Sequence, residues 1–157
     1  MTVERNPVIA VVGAGKCSKK LKDMAAEIGK YVAEQGGIIV CGGLGGVMEG
    51  AARGAKEAGG TTIGILPTMD KNDANEFIDY VIPTGFGEAR NIIVVRTADA
   101  VIALPGKYGT LSEMAFALQA KKPLISVSAW KLGEEMLQID DPIEAAKMAM
   151  KLARGDE

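Results

Sequence analysis

Residues 104–113, Leu-Pro-Gly-Lys-Tyr-Gly-Thr-Leu-Ser-Glu, carry the densest chemistry in the chain. Pro105 and Gly106 end an apolar run, and Gly109 and Thr110 stand before an amphipathic one that begins at Met114. Small residues at a helix start leave backbone N–H groups open, and the helix dipole favours an anion there. The hydroxyls of Thr110 and Ser112 are further donors, so the segment reads as a phosphate cradle without a Walker lysine. Thr110-Leu111-Ser112-Glu113 also matches a capping box, in which Glu113 folds back onto the Thr110 N–H. Both readings stand if cap and phosphate use different amides. Arg90, within Gly87-Glu88-Ala89-Arg90-Asn91, adds a cation. In the first turn of a helix starting near Gly87 it opposes the dipole and needs a partner: a phosphate, Glu113 or water.

Two more glycine loops follow apolar runs. Gly13-Ala14-Gly15-Lys16-Cys17-Ser18 begins like a dinucleotide fingerprint, but Ser18 replaces the third glycine. The acidic residue expected about 20 positions on is missing, because the second apolar run ends in Cys41-Gly42-Gly43. A conventional NAD site is therefore not expected. Gly42, Gly43, Gly45 and Gly46 bare the backbone where another helix begins. A ligand lying on amides and a tight strand–helix contact both call for small residues, and four glycines favour the ligand.

The elements that must position these loops alternate. Apolar runs at Val8–Val12, Gly37–Cys41, Thr62–Leu66, Asp79–Ile82, Ala100–Leu104 and Leu124–Val127 read as strands covered on both faces. Helical spacing appears over 19–34, 46–58, 110–121 and 142–153. Residues 87–98 are ambiguous, since Ile92-Ile93-Val94-Val95 favours a strand while the flanks leave room for a helix; 71–77 reads as a loop. Alternating βα units predict an α/β chain with a mostly parallel sheet of six or seven strands and helices on both faces, a single domain over 1–157. Ligands of such sheets bind outside the strands' carboxyl ends, where the glycine loops converge.

Composition narrows the chemistry. The 157 residues are 48% apolar, carry a net charge of −2 and contain no histidine. Without histidine, Ser-His-Asp, Cys-His and His-metal schemes are excluded; no metal and no cofactor is expected. The charge balance argues against a nucleic-acid partner, and no run approaches the roughly 20 apolar residues of a membrane helix. Met1 to Asn6 lacks a signal-peptide pattern, so a cytoplasmic protein is expected; Cys17 and Cys41 fall near carboxyl ends of strands, as neighbours in space or as two separate thiols in a reducing compartment. Glycine, at 20 of 157, is the outlier against roughly 7% on average. Tyr108 and Phe86 fall at the rim, available for stacking on a base or for packing, and Trp130 for a contact between copies.

Taken together, "GGLGGVMEGA", "GEARN" and "LPGKYGTLSE" resemble the Lonely Guy (LOG) family, long mislabelled as lysine decarboxylases, over about residues 8–130. The resemblance implies a modified Rossmann fold, a homo-oligomer and cleavage of the N-glycosidic bond of nucleoside 5′-monophosphates to base and ribose 5-phosphate. By matching positions it places the phosphate on Gly106, Lys107, Tyr108, Gly109 and Thr110, and makes Arg90 and Glu113 the catalytic pair. Gly13, Gly15, Gly42, Gly43, Gly45, Gly46 and Asn91 complete the expected ligand-binding set. The chain departs from the family pattern at three positions. Asn91 stands for a lysine, Lys107 for the second glycine of P-G-G, and Glu49 for the glycine after Met48. The "ARN" form resembles a short subgroup that includes molybdenum-cofactor carrier proteins, which bind a phosphorylated pterin without hydrolysis. A carrier of that kind is the alternative to a phosphoribohydrolase, and a regulatory nucleotide-binding module is the third reading. Lysine decarboxylation is not expected, since no segment marks a pyridoxal lysine.

Overall fold

The structure is a computed structural model that describes residues 3–156. Met1 and Thr2 of the segment read above for a leader, and Glu157, lie outside the described residues. Seven strands form one sheet in the order β4-β3-β2-β1-β5-β6-β7. They are β1 (Val8–Val12), β2 (Ile38–Cys41), β3 (Thr61–Leu66), β4 (Tyr80–Pro83), β5 (Ala100–Ala103), β6 (Leu124–Ser126) and β7 (Leu137–Gln138). Every pairing is parallel. The helices are α1 (Lys19–Glu34), α2 (Val47–Glu57), α3 (Arg90–Thr97), α4 (Tyr108–Gln119) and α5 (Pro142–Ala153). This is the modified Rossmann architecture expected from the sequence.

The apolar strand runs are explained by two cores. Ile9 and Val11 of β1 face a cluster closed by α1, α2 and α5. Ala10 and Val12 face a second one closed by α3 and α4. Successive side chains of a strand point to opposite faces, so a strand with a core on each side has no polar position. The α1–α2 contact is close because Gly29 and Gly54 are small: a Cβ on Gly54 would stand 1.9 Å from the Ala26 carbonyl oxygen.

Four elements differ from the sequence expectation. Residues 87–97 form a 3-10 turn (Gly87–Ala89) running into α3, because helical spacing puts Val94 and Val95 together in the second core. Packing outweighs β propensity there. Residues 71–73 make a 3-10 turn within the expected loop, with Asp70 accepting from the Asn72 N–H at 2.9 Å. The two-residue β7 has no apolar run to announce it; Leu137 and Gln138 are both exposed. Helix α4 starts at Tyr108, two residues before the expected Thr110.

Strand order places the site. The chain builds β1 to β4 outward, then returns to lay β5 on the other side of β1. The helices after β1 and β5 cover opposite faces, α1 on one and α4 on the other. The loops leaving these neighbouring strands therefore diverge and open a crevice between them, the switch point of an open parallel sheet.

Candidate functional site

Hydrogen bonds tie three loops together at the crevice. The Ala14 N–H donates to the Pro105 carbonyl at 2.9 Å, and the Val47 N–H donates to the Ala14 carbonyl at 2.9 Å. Between them lies a cleft of about 370 Å³, lined by Gly13, Ala14, Gly15, Lys16, Met48, Arg90, Asn91, Lys107, Gly109, Thr110 and Glu113. Eight of the sequence-chosen residues thus meet there: Gly13, Gly15, Arg90, Asn91, Lys107, Gly109, Thr110 and Glu113.

The wall contributed by α4 is an open helix start. Its first backbone bond runs from the Leu111 N–H to the Lys107 carbonyl at 3.0 Å, so the amides of Tyr108, Gly109 and Thr110 precede it. Among the described residues no side chain caps this end, unlike α1, where Ser18 accepts from the Leu21 N–H. The expected capping box does not form. Thr110 already has helical backbone in the first turn, so it cannot serve as the cap, and the Glu113 side chain is buried along the cleft instead. A Cβ on Gly109 would meet nothing nearer than 3.9 Å, and one on Gly15 nothing nearer than 3.7 Å, so packing requires neither glycine.

Arg90 forms the floor. It is 8% exposed and is the first residue of α3, where α3 meets the ends of β2 and β3. Its Nε donates to the Ile65 carbonyl at 2.9 Å, its Nη2 to the Gly42 carbonyl at 3.4 Å, and its Nη1 to Asn91 Oδ1. Asn91 continues the chain: its Nδ2 donates to Ser112 Oγ at 3.1 Å, and that hydroxyl donates to the Gly109 carbonyl at 2.7 Å. Ser112 thus braces the first turn of α4, its hydroxyl proton already given to Gly109. Among the described residues no ion pair joins Arg90 to Glu113. Burial draws the guanidinium's pKa down, opposed by the nearby Glu113 and Cys41. Glu113 is 7% exposed, and burial pushes its carboxyl up to about 8 against the pull of Arg90. It makes no side-chain hydrogen bond among the described residues, and near neutral pH it is a proton-bearing donor.

The second glycine loop has another role. Gly42, Gly43, Gly45 and Gly46 are absent from the lining of the cleft. A Cβ on Gly42 would stand 2.5 Å from Arg90 Nη2, and one on Gly46 2.2 Å from the Ala14 carbonyl oxygen. On Gly43 it would stand 2.7 Å from Leu66 Cδ2, and on Gly45 3.1 Å from the Gly15 carbonyl oxygen. These four seat the loop against Arg90, β3 and the first loop. Gly106 also packs, its Cβ position 2.0 Å from Thr110 Oγ1.

Tyr108 lies beside the cleft, 78% exposed, with its ring stacked on Trp130 at 6.4 Å between centroids. Trp130 Nε1 donates to the Lys107 carbonyl at 3.2 Å, so this indole braces the α4 start from within its own chain. Phe86 is exposed at 64%. Cys17 and Cys41 are free thiols; burial pushes the Cys41 thiol up to about 11. Lys16 and Met48 line the cleft but were not chosen from the sequence. Lys16 had a signal, as a cation beside the Gly13–Gly15 loop; Met48 had only its place after a glycine loop.

The family model that matches residues 6–153 is the SLOG cluster4 family. The chain belongs to the SLOG cluster4 family. A protein of uncharacterised function from Archaeoglobus fulgidus is 43% identical over 137 residues, 87% of this chain and 90% of that one. The cytokinin riboside 5′-monophosphate phosphoribohydrolase of Mycobacterium tuberculosis is 32% identical over 133 residues, 78% of this chain and 71% of that one. The chain spans under half the length of the plant phosphoribohydrolases it matches. Among solved structures, the molybdenum cofactor binding protein of Rippkaea orientalis superposes with a TM-score of 0.85 at 34% identity, covering 95% of this chain and 98% of that one. The Moco carrier protein of Chlamydomonas reinhardtii gives 0.84 at 36%, covering 96% and 99%. This SLOG chain thus has relatives named as hydrolases and relatives named as carriers. Among the described residues no helix is long and apolar enough to cross a membrane.

Proposed function

We propose that this chain binds a small phosphorylated heterocycle, of the molybdenum-cofactor kind, in the switch-point cleft and holds it without cleaving it. The observation that carries the reading is the uncapped first turn of α4, whose amides open beside Lys107 at the cleft. Such a turn is a ready anion site. Length-matched likeness to two molybdenum-cofactor proteins supports a ligand of that class. The site's electrostatics support holding over cleaving. Arg90 spends donors on two backbone carbonyls and Asn91, and Glu113 is uncharged near neutral pH, so a charged catalytic pair is not assembled.

A second reading has its own support. Glu113 is an unpartnered acid in the cleft, and a carboxyl poised near neutrality suits proton donation to a leaving base in an N-glycosidic cleavage. Under that reading Arg90 steers the ribose-phosphate end. One experiment separates the two: calorimetric titration with a phosphorylated pterin and with AMP, each followed by chromatography of the mixture. Binding with the ligand recovered intact supports the carrier. Release of free base that disappears in Glu113→Gln replaces it with the hydrolase.

A further inference from the structure

The cleft carries more positive charge than one phosphate monoester uses. Arg90 lies at the buried floor, while Lys16 and Lys107 stand exposed at the mouth, on the loops leaving the neighbouring strands β1 and β5. Among the described residues neither lysine forms an ion pair or a side-chain hydrogen bond. Among the described residues Glu113 is the cleft's one acidic side chain and has no side-chain partner; it is more than nine-tenths buried and uncharged near neutral pH. Three cations and an open helix end therefore face a ligand whose monoester would bring at most about two negative charges. Lys107 is also the position at which the LOG pattern has its second glycine, and at φ −100° the backbone there has no need of glycine.

We propose that the cleft takes a ligand with a second anionic group beyond the phosphate at α4, of the diphosphate class, and that Lys16 and Lys107 hold this second group between them. The inference rests on the reading of the cleft as a site for a phosphorylated ligand. The amides of Gly109 and Thr110 hold one phosphate in fixed geometry, whereas two flexible ammonium groups act as point charges that reach a second anion along the mouth. A concave site lined by one sign of charge strengthens both contacts, and salt screens the exposed one more.

The test is calorimetric titration of the intact protein at pH 7 with inorganic phosphate, pyrophosphate, AMP and ADP. It is run on the wild type and on Lys107→Gly, Lys16→Gln and the double variant. Both lysines are exposed, so thermal midpoints are expected to stay near that of the wild type. The wild type is expected to bind each diphosphate at least about tenfold more tightly than its monophosphate. In the double variant that ratio is expected to fall below about threefold, and in the wild type to shrink between about 20 and 200 mM salt. Equal affinities in the wild type, or a preference that survives the double variant, overturn the proposal. Monophosphate binding without a diphosphate preference sinks this inference and leaves the proposed function standing; failure of all four probes and of a phosphorylated pterin sinks both.

Discussion

Two glycine-rich loops leave the carboxyl edge of the same sheet, and they use glycine for opposite ends. In the β2–α2 loop, Gly42, Gly43 and Gly46 are small because side-chain or backbone atoms stand within 2.7 Å of where a Cβ would go. Where the β5–α4 loop passes into the first turn of α4, a Cβ on Gly109 would meet nothing nearer than 3.9 Å, and the space beside it is the cleft. The first loop is closed by packing, whereas the second packs at Gly106 and is left open at the start of α4. Glycine content alone cannot tell these apart, because the chain needs a bare backbone both to seat an arginine and to admit an anion.

Substitutions at the two loops should break the symmetry between them. The largest effect is expected at Gly46, where φ is 63°, ψ is −128° and the Ala14 carbonyl oxygen lies 2.2 Å from a Cβ. Gly46→Ala should cost about 3 kcal/mol or more, read as a lowered denaturation midpoint. Next is Glu113. Its folded pKa of about 8 lies above the ordinary glutamate value of 4.5, so between those limits the folded state holds a proton that the unfolded state releases. Stability is therefore lost as pH rises through that window, by at most about 1.4 kcal/mol per pH unit. Urea titrations at a series of pH values should show the wild type losing stability relative to Glu113→Gln across this range.

Gly42→Ala comes third. Its methyl would press on Arg90 Nη2 and Met48 Sδ, 2.5 and 2.7 Å away, and side chains yield more readily than backbone. A cost of about 1–3 kcal/mol is expected in chemical denaturation, together with weaker ligand binding as the cleft floor shifts. The smallest stability effect, and opposite in sign, is expected at Gly109. Gly109→Ala should stabilise by up to about 1 kcal/mol, since the position is helical and roomy. It should nonetheless lower AMP affinity by about tenfold in calorimetry, because the methyl enters the space the phosphate would fill.

The middle of the sheet was legible from sequence because β1, β2, β5 and β6 carry a core on both faces and leave continuous apolar runs, whereas the exposed pair Leu137–Gln138 of β7 leaves none. Helix α3 was not, since its β-branched residues are chosen by packing against the sheet and mimic a strand. Gly109, Thr110 and Arg90 could be chosen because small and hydroxyl residues at a helix start, and a cation in a first turn, carry a signal in residue type, while the LOG resemblance singled out Glu113. Their use was harder to read. The partners of Arg90 are backbone carbonyls of Ile65 and Gly42, and a backbone acceptor leaves no trace in residue identity. The capping box failed for a related reason, since a helix may begin two residues early without changing a letter. Lys16 comes to the cleft through the pairing of β1 with β5, which joins segments about ninety residues apart.

The most direct test of the division between the loops is a crystal structure of the protein with AMP. The phosphate is expected within hydrogen-bonding distance, about 3 Å, of the Gly109 and Thr110 amides, with Gly42 to Gly46 still packed on Arg90. A phosphate lying on the Gly42–Gly46 backbone, with the start of α4 left open, would contradict it.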